Sequence, residues 1–353
     1  MVVVVEGDGL DSGGVMAYCG DGREREKREM SFAVIIPALN EEERVEVCVR
    51  ALLDMAKPGG GYEILVVDNG SGDRTVEIAQ GLGARTVVKT GGTVGGLRNY
   101  GASLCGGRYL AFVDADCVVP RDWLVLAEEE LKAENVGAVG CRLVHKGRGW
   151  VGRAWSVIHE ERTELGEVDW LPSGSMVVRG RAFEEVGGFD ERLRASEDFE
   201  LCKRLRSRGY KIRSQPGMTA VHLNAPGTLG ELYRKELWHG SEMLSALGVG
   251  RARFSRALAY GFLFATMGIG VVLGTLVSLL FGNHWLILIC ACVLVGAPIA
   301  LALKSCLKTR TYRELLGVAL VYMTYGVARG ACVLRGLSGR LKCNLRNWQG
   351  GSF

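Results

Sequence analysis

The sequence predicts an α/β domain built on a parallel sheet, followed by membrane helices. Three observations lead to this prediction. Short apolar runs alternate with amphipathic stretches up to about residue 256, which is typical of a parallel sheet with helices on both faces. Two later stretches are apolar and long enough to cross a bilayer. Acidic residues stand at the ends of two predicted strands, and such sheets bind ligands at those ends.

The predicted strands and helices of the α/β domain follow one another in a regular order. Five apolar runs predict strands: FAVIIP, YEILVVD, ARTVV, RYLAFVD and VGAVGCRLV. Asn40 and Glu43 resemble a capping box at the start of the first helix. A short helix is predicted after NGSGDRT and another over residues 97–105, and Asp122 is the predicted N-cap of the next helix. A later helix is predicted from Glu197, with a glycine cap at Gly209.

The last third of the chain predicts a membrane anchor. Residues 257–281 and 285–303 carry no charged side chain, so each is predicted to span the bilayer. Lys and Arg residues flank this pair of stretches, and the turn between them has none. The positive-inside rule therefore places everything except that turn on the cytoplasmic side. The stretch 315–334 is a weaker candidate, because it carries Arg329 and several glycines. A cytoplasmic basic tail after it favours an interfacial helix. The alternative is a third span, which would place four basic residues outside.

Charge and cysteine content indicate the partners and the redox compartment of the protein. The net charge is +4, and many of the basic residues lie close to the apolar stretches, which favours anionic lipid over nucleic acid as a partner. The 11 cysteines form no CxxC pair, so they indicate a reduced compartment with thiols used as small apolar groups. We predict a disordered extension over residues 1–30, the α/β domain over 31–250, and the anchor with its basic tail over 251–353.

The strand ends indicate which ligand the domain binds. No GxGxxG follows the first strand, the chain has no GxxxxGK[ST], and PSGSM does not fit a nucleophile elbow. The fourth strand instead ends in Asp114 and Asp116, a DxD pair. Mg²⁺ binds through one or two carboxylates together with substrate phosphates. The pair therefore predicts a metal–diphosphate site, and the alternative is a solvated turn.

Six stretches in this order resemble the motifs of family-2 inverting glycosyltransferases. They are IPALNEE, VVDNGSGDRT, GGLRNYG, VDADCVVP, SGSMVVRGRAFEEVGGFDE and SEDFELCKRLRSRGYKI. The resemblance covers about residues 31–240. It implies the Rossmann-like GT-A fold, a nucleoside-diphosphate sugar as donor and a divalent cation, Mg²⁺ or Mn²⁺, as cofactor.

The resemblance also implies roles in binding the nucleotide sugar. Asp68 would accept a hydrogen bond from the base, and Pro37 and Glu41 would line the base and ribose. Arg98 would contact the diphosphate or hold the DxD loop. The alternatives are an acid stabilised by a helix dipole for Glu41 and a surface arginine for Arg98. Asp114 would bind the ribose or the metal.

The remaining roles concern the metal and the chemistry. Asp116 would coordinate the cation, and His222 would complete its site, because neutral imidazole is an acceptable ligand. Asp198 would act as general base toward the acceptor, and Glu197 would orient it. The alternatives are a packed histidine and ordinary acids at a helix N-terminus. Trp238 would stack on an acceptor sugar or lie at the membrane interface.

These inferences combine into a functional prediction. The chain is expected to be a multi-pass protein of the cell membrane with a cytoplasmic catalytic domain. It would move a sugar from a nucleoside-diphosphate donor, by default a UDP-sugar, to a glycan or lipid-linked acceptor. The region YRKELWHGSEM lacks the Gln-x-x-Arg-Trp motif of polymer-forming relatives, which argues against polymer synthesis. The alternatives are a catalytically inert scaffold of the same fold and a sugar-nucleotide nucleotidyltransferase.

Overall fold

The computed structural model describes residues 31–147, 149–159, 164–248, 256–282 and 284–337. The extension predicted over residues 1–30 and the basic tail after residue 337 lie outside this range. The described chain forms two compact units. One contains the described residues up to 143 and those from 164 to 222, and the other contains 144–159 and the residues from 223 onward. The domain boundary near residue 250 stays a prediction.

The first unit holds the β-sheets. Its strands are β1 (Phe32–Ala38), β2 (Tyr62–Asp68), β3 (Arg85–Val88), β4 (Tyr109–Val113), β5 (Cys117–Val118), β6 (Val136–Gly140), β7 (Leu143–His145, which ends in the second unit), β8 (Gly166–Glu167), β9 (Ser175–Arg179), β10 (Lys211–Ser214) and β11 (Ala220–His222). Among the described residues, the main sheet has the order β3-β2-β1-β4-β9-β6-β10-β8. The small strands β5 and β11 pair antiparallel outside this sheet.

Helices cover the main sheet and form the second unit. They are α1 (Val45–Leu53), α2 (Thr75–Gly81), α3 (Val94–Leu104), α4 (Trp123–Glu130), α5 (Gly149–His159), α6 (Gly180–Val186), α7 (Glu197–Ser207), α8 (Leu229–Gly248), α9 (Arg256–Phe281), α10 (Trp285–Thr309) and α11 (Leu315–Leu337). The second unit contains α5 and α8 to α11.

The core explains why the central strands read as continuous apolar runs. Phe32, Val34 and Ile36 of β1 pack into one buried cluster, which also contains the buried residues of α1. Ala33 and Ile35 pack into a second cluster on the other face, together with residues of α3 and α7. A strand buried on both faces needs apolar side chains at every position.

The structure confirms the α/β class and shows that the main sheet is mixed. β9 lies between β4 and β6 and runs antiparallel to both. Gly140 lets β6 and β9 meet at their ends, because a Cβ there would lie 2.4 Å from the carbonyl oxygen of Ser175. The predicted fifth strand is divided into β6 and β7. Strand–helix alternation alone does not reveal a strand that returns from a later part of the chain.

The predicted capping box at Asn40 is wrong. α1 begins at Val45, and Asn40 has a φ of 54°. Its side-chain oxygen accepts a hydrogen bond from the backbone N–H of Gly72 at 2.9 Å. Asparagine tolerates the left-handed conformation better than most residues do, so Asn40 joins two loops rather than starting a helix. Asp122 stands at the N-cap position of α4 but makes no capping bond through its side chain.

The second unit contains the apolar helices. Three helices of the described chain are long and apolar enough to cross a membrane, over 259–281, 285–309 and 312–336. The third lies more deeply inside the protein, with 44% of its most apolar window buried against 17% for each of the others. Arg329 of this helix is buried and bonded to Glu236 of α8 at 2.7 Å. The interfacial position of 315–334 stays a prediction.

Candidate active site

Three neighbouring strands carry the predicted site residues to one edge of the sheet. β1 lies between β2 and β4 and is parallel to both, so their carboxyl ends meet. Asp68 is the last residue of β2, and Asp114 directly follows β4. Pro37 is buried near the end of β1, and Glu41 lies in the loop that follows.

Hydrogen bonds join the loops after β1 and β2. Both oxygens of Asp68 accept hydrogen bonds: one from the backbone N–H groups of Gly70 and Ser71 at 2.8 Å, the other from the Ser71 hydroxyl. That hydroxyl accepts a bond from the N–H of Asn40 at 2.8 Å. Asp68 therefore shapes this loop. Its contact with a base stays a prediction and would use the lone pairs that remain on the carboxylate.

Glu41 faces the acids of the DxD segment. Its side chain is buried and pairs with Arg44 at 2.7 Å. Burial, and next the negative charge of Asp116, raise the pKa of Glu41 to about 7. Burial is the main cause, and the nearby charge of Asp116 adds to it, so a cation beside these acids would be favoured.

Arg98 connects the DxD segment to α7. It is 2% exposed, which does not fit the alternative of a surface arginine. One guanidinium nitrogen lies 2.6 Å from Asp114 Oδ1, and another lies 2.8 Å from Glu197 Oε1. The guanidinium also lies over the Phe189 ring at 5.5 Å. In the structure Arg98 holds the DxD loop, and its contact with a diphosphate stays a prediction.

The pairing of β5 with β11 brings His222 to the DxD segment. His222 is opposite Cys117 in the antiparallel register, and its Nε2 lies 3.5 Å from Asp116 Oδ2. Asp114, Asp116, Cys117 and His222 each offer one ligand atom, and these four atoms all lie within 4.8 Å of one another. The structure therefore brings together the three residues for which the sequence predicts metal binding.

The donor set fits a divalent cation. Asp116 is 1% exposed, and a buried carboxylate requires a cation or hydrogen-bond donors around it. Two carboxylates and an imidazole are acceptable ligands for Mn²⁺, and carboxylate oxygens suit Mg²⁺. Cys117 has no predicted role. Burial, followed by the charge of Asp116, raises the pKa of its thiol well above the usual value.

Asp198 lies in the first turn of α7. It is half-buried, and its Oδ1 accepts a bond from the N–H of Phe199 at 2.7 Å. Burial, and then the charge of Glu197, raise the pKa of Asp198 to about 7. A general base works best when its pKa lies near the working pH. Glu197 is held by Arg98 and by the Ser173 hydroxyl at 3.3 Å, so it is not a free acid at a helix end.

Gly174 is a site residue that the sequence analysis did not identify. A Cβ at this position would lie 2.6 Å from Asp114 Oδ2. The carbonyl oxygen of Gly174 also accepts a bond from the N–H of Asp114 at 3.4 Å. It lies in PSGSM and at the start of the motif stretch SGSMVVRGRAFEEVGGFDE, and neither pattern gave it a role of its own. Any side chain here would displace a predicted metal ligand.

Trp238 lies outside the unit that carries the acids. It is a half-buried residue of α8, and its ring packs 4.8 Å from that of His239. Its role toward an acceptor stays a prediction.

Comparison with known proteins decides the family. The chain matches the model of glycosyl transferase family 2 over residues 33–183, and that of glycosyl transferase family group 2 over residues 109–303. The chain belongs to glycosyltransferase family 2. It is therefore a glycosyltransferase, and its mixed sheet is the catalytic fold of that family.

Three curated relatives are each less than 30% identical to this chain. Glycosyltransferase AglE of Haloferax volcanii is 27% identical over 64% of this chain and 77% of its own length. The pre-mycofactocin glycosyltransferase of Mycobacterium tuberculosis is 28% identical over 81% of this chain and 60% of its own length. The beta-monoglucosyldiacylglycerol synthase of Trichormus variabilis is 29% identical over 49% of this chain and 40% of its own length. The chain thus spans less than two thirds of the last two relatives.

A solved structure supports the GT-A fold. The mannosyltransferase PcManGT of Pyrobaculum calidifontis, in complex with GDP-Man and Mn²⁺, superposes with a TM-score of 0.53. It is 18% identical, and the match covers 86% of this chain and 87% of the mannosyltransferase. At this identity the likeness concerns the fold alone.

Proposed function

We propose that this chain is a membrane-anchored, metal-dependent, inverting glycosyltransferase. It moves a sugar from a nucleoside-diphosphate donor, by default a UDP-sugar, to a hydroxyl or phosphate group of a glycan or lipid-linked acceptor. The observation that carries the proposal is the convergence of Asp114, Asp116 and His222 within 4.8 Å. Arg98 links this cluster to the helix that carries Asp198.

The cluster would bind the cation that contacts the diphosphate of the donor. Asp114, Asp116 and His222 would hold Mg²⁺ or Mn²⁺, which supplies Lewis-acid stabilisation to the leaving diphosphate. Arg98 keeps the Asp114 carboxylate in place through its bond of 2.6 Å. Asp68, at its hydrogen-bonded loop, would accept a hydrogen bond from the nucleotide base. Pro37 and Glu41 would line the base and ribose.

Asp198 acts as the general base toward a hydroxyl acceptor. The acceptor oxygen attacks the anomeric carbon while the bond from that carbon to the diphosphate oxygen breaks, which inverts the configuration. The acceptor proton passes to the Asp198 carboxylate, and the electron pair of the broken bond leaves with the diphosphate. The raised pKa of Asp198, about 7, suits this transfer near neutral pH. Glu197, held by Arg98, positions the first turn of α7.

The apolar helices support an acceptor at the membrane. Three helices of the described chain could cross a bilayer by length and composition, and one relative is named as a synthase of a glucosyldiacylglycerol. We propose that α9 and α10 span the cell membrane with the catalytic unit on the cytoplasmic side. The deeper burial of α11, and the ion pair that binds it to the charged helix α8, support an interfacial α11.

A thermal-shift panel on the detergent-purified chain tests the donor site. UDP, GDP, CMP and dTDP are each added with Mn²⁺, Mg²⁺ or EDTA, because a ligand that binds only the native state raises the melting temperature. The variant Asp116→Ala removes a ligand of the cluster. Asp122→Ala is the matched control, since Asp122 is an exposed acid six positions along the chain that makes no capping bond.

The proposal predicts stabilisation by one nucleotide that requires the metal. It should disappear in Asp116→Ala and persist in Asp122→Ala. A well-folded protein that no nucleotide stabilises, with or without metal, would contradict the proposal and favour the inert scaffold.

A further inference from the structure

We propose that the second unit contains a binding site for the phosphate headgroup of a membrane lipid, formed by His145, Trp155, His159 and Lys235. Nothing in the sugar-transfer proposal uses these residues. All four belong to the second compact unit, whereas the metal cluster belongs to the first. The inference therefore stands apart from the reaction at Asp116 and Asp198.

The three rings of the cluster pack against one another. The ring centroids of Trp155 and His159 lie 4.1 Å apart, those of His145 and His159 lie 4.9 Å apart, and those of His145 and Trp155 lie 6.3 Å apart. The hydroxyl of Ser156 donates to the backbone carbonyl of His145 at 2.5 Å. This bond fixes the end of β7 to α5, so the two histidines are held at a defined separation.

Lys235 adds a permanent positive charge to the cluster. Its ammonium nitrogen lies 5.9 Å from the centroid of the Trp155 ring and donates to the carbonyl of Asn224 at 3.1 Å. An ammonium group attracts a phosphate through its positive charge as well as through its N–H donors. The lysine comes from α8 and the histidines from β7 and α5, so three elements of one unit converge.

Trp155 supplies the observation that points to a ligand. The residue is 3% exposed, and its indole Nε1–H is buried with no hydrogen-bond partner. Burying a donor without an acceptor is unfavourable, and the indole nitrogen can only donate. His159 Nδ1 bonds to the carbonyl oxygen of Trp155 at 3.0 Å. A carbonyl accepts only, so this nitrogen carries the hydrogen. The cluster therefore needs an acceptor, and a phosphate offers oxygens that accept several bonds at once.

The position of the cluster in its unit selects a lipid as the source of the phosphate. Trp155 packs in one apolar core with Ala302 and Cys306 of α10 and with Val318 and Val321 of α11. These residues lie next to the ends of two helices that are long and apolar enough to cross a membrane. Lipid headgroups lie at the level of such helix ends, and basic residues there attract anionic lipid.

Binding of short-chain lipids to the detergent-purified full chain tests this proposal. The probes are dioctanoyl phosphatidic acid, dioctanoylglycerol, which lacks the phosphate, and inorganic phosphate. Trp155→Phe removes the indole donor and keeps an aromatic ring, and Lys235→Met removes the charge and keeps the stem. Trp150→Phe is the matched control, because Trp150 lies on the same helix and is 42% exposed.

We expect phosphatidic acid to bind and dioctanoylglycerol not to bind. Each of the two variants should weaken binding roughly tenfold to a hundredfold, the range for a lost hydrogen bond to a charged group, and Trp150→Phe should bind like the wild type. Inorganic phosphate that binds with the same dependence on Trp155 and Lys235 would confirm the phosphate chemistry, and its weaker affinity would measure the lipid contribution.

Two results would overturn the proposal. One is the absence of binding by either phosphate probe to the folded wild type. The other is equal binding by the wild type, Trp155→Phe and Lys235→Met, with all three proteins melting at similar temperatures without ligand. Nucleotide stabilisation in these variants reports on the donor site separately, so failure of this proposal would not be confused with failure of sugar transfer.

Discussion

Replacing Arg98 by methionine should destabilise the catalytic unit strongly. Methionine keeps an unbranched stem of similar length and removes the guanidinium. Asp114 and Glu197 would each lose a bond of 2.6 or 2.8 Å. Their side chains are 18% and 9% exposed, so water replaces the lost partner only in part. The variant therefore leaves two carboxylates poorly solvated and close to the other acids of the site.

The expected loss of stability in Arg98→Met follows from the burial of its ion pairs. Removing one partner of a buried ion pair costs about 3–5 kcal/mol. Asp114 is the more exposed of the two acids and can recruit water, so we count this cost once rather than twice. A domain of this size loses roughly 2–4 °C of melting temperature per kcal/mol, so Arg98→Met should melt roughly 6–20 °C below the wild type.

Arg50→Met is the matched control for this measurement. Arg50 pairs with Glu46 at 2.8 Å, the same distance as one of the Arg98 bonds, but the two side chains are 60% and 50% exposed. A surface pair of this kind contributes about 0.3–0.5 kcal/mol. Thermal melts of the purified variants give the comparison. If Arg98→Met melted no lower than Arg50→Met, the reasoning that Arg98 stabilises two poorly solvated carboxylates would be refuted.

Three further variants test other parts of the account. Folding raises the pKa of Asp198 to about 7, so its ionised form lowers stability above about pH 4, by an upper limit of about 4 kcal/mol reached above about pH 7. Asp198→Asn should therefore raise the melting temperature more at pH 8 than at pH 5. Gly174→Ala should abolish the metal-dependent nucleotide shift, because the new Cβ would lie 2.6 Å from Asp114 Oδ2. Glu236→Leu should cost about 3–5 kcal/mol in a melt, since it leaves Arg329 buried without its partner.

Each of these predictions has an outcome that would contradict it, and two of the variants have a control. Asp198→Asn should raise the melting temperature at pH 8, and a fall there would show that the ionised carboxylate stabilises the fold. Gly81→Ala adds a Cβ in α2 that meets no atom within 4 Å. If Gly81→Ala also lost the nucleotide shift, the loss in Gly174→Ala could not be assigned to a clash with Asp114. The double variant Glu236→Leu with Arg329→Leu should be more stable than Glu236→Leu alone. A further loss of stability would contradict the explanation that an unpaired Arg329 causes the cost.

Local sequence signals were sufficient for the central strands. β1, β2 and β4 are continuous apolar runs bounded by turn residues, and the structure places them within one residue of the prediction. α3 begins three residues earlier than predicted, because the hydroxyl of Thr93 accepts a bond from the N–H of Gly96 and caps it. Such elements depend on neighbours in the chain, which is why the pattern alone locates them.

Long-range contacts were not readable from the sequence. Arg98 bonds to partners 16 and 99 positions away, and no local pattern shows whether an arginine on a helix faces solvent or the core. Asn40 is a residue type that favours helix caps, yet its side chain bonds to Gly72 in a loop 32 positions away. His222 joins the ligand cluster only because β11 pairs with β5. The family resemblance supplied the roles of His222 and Asp198, which spacing alone would not have indicated.

The most direct test of the account separates binding from transfer in Asp198→Asn. The donor that stabilises the protein is supplied with its metal, membranes of the producing cells serve as the source of acceptor, and release of nucleoside diphosphate is followed. The account predicts that the variant binds the nucleotide and metal as the wild type does, while turnover falls by roughly 10²–10⁴-fold, the contribution of a general base. Turnover close to that of the wild type would contradict the assignment of Asp198 as the base and the mechanism that depends on it.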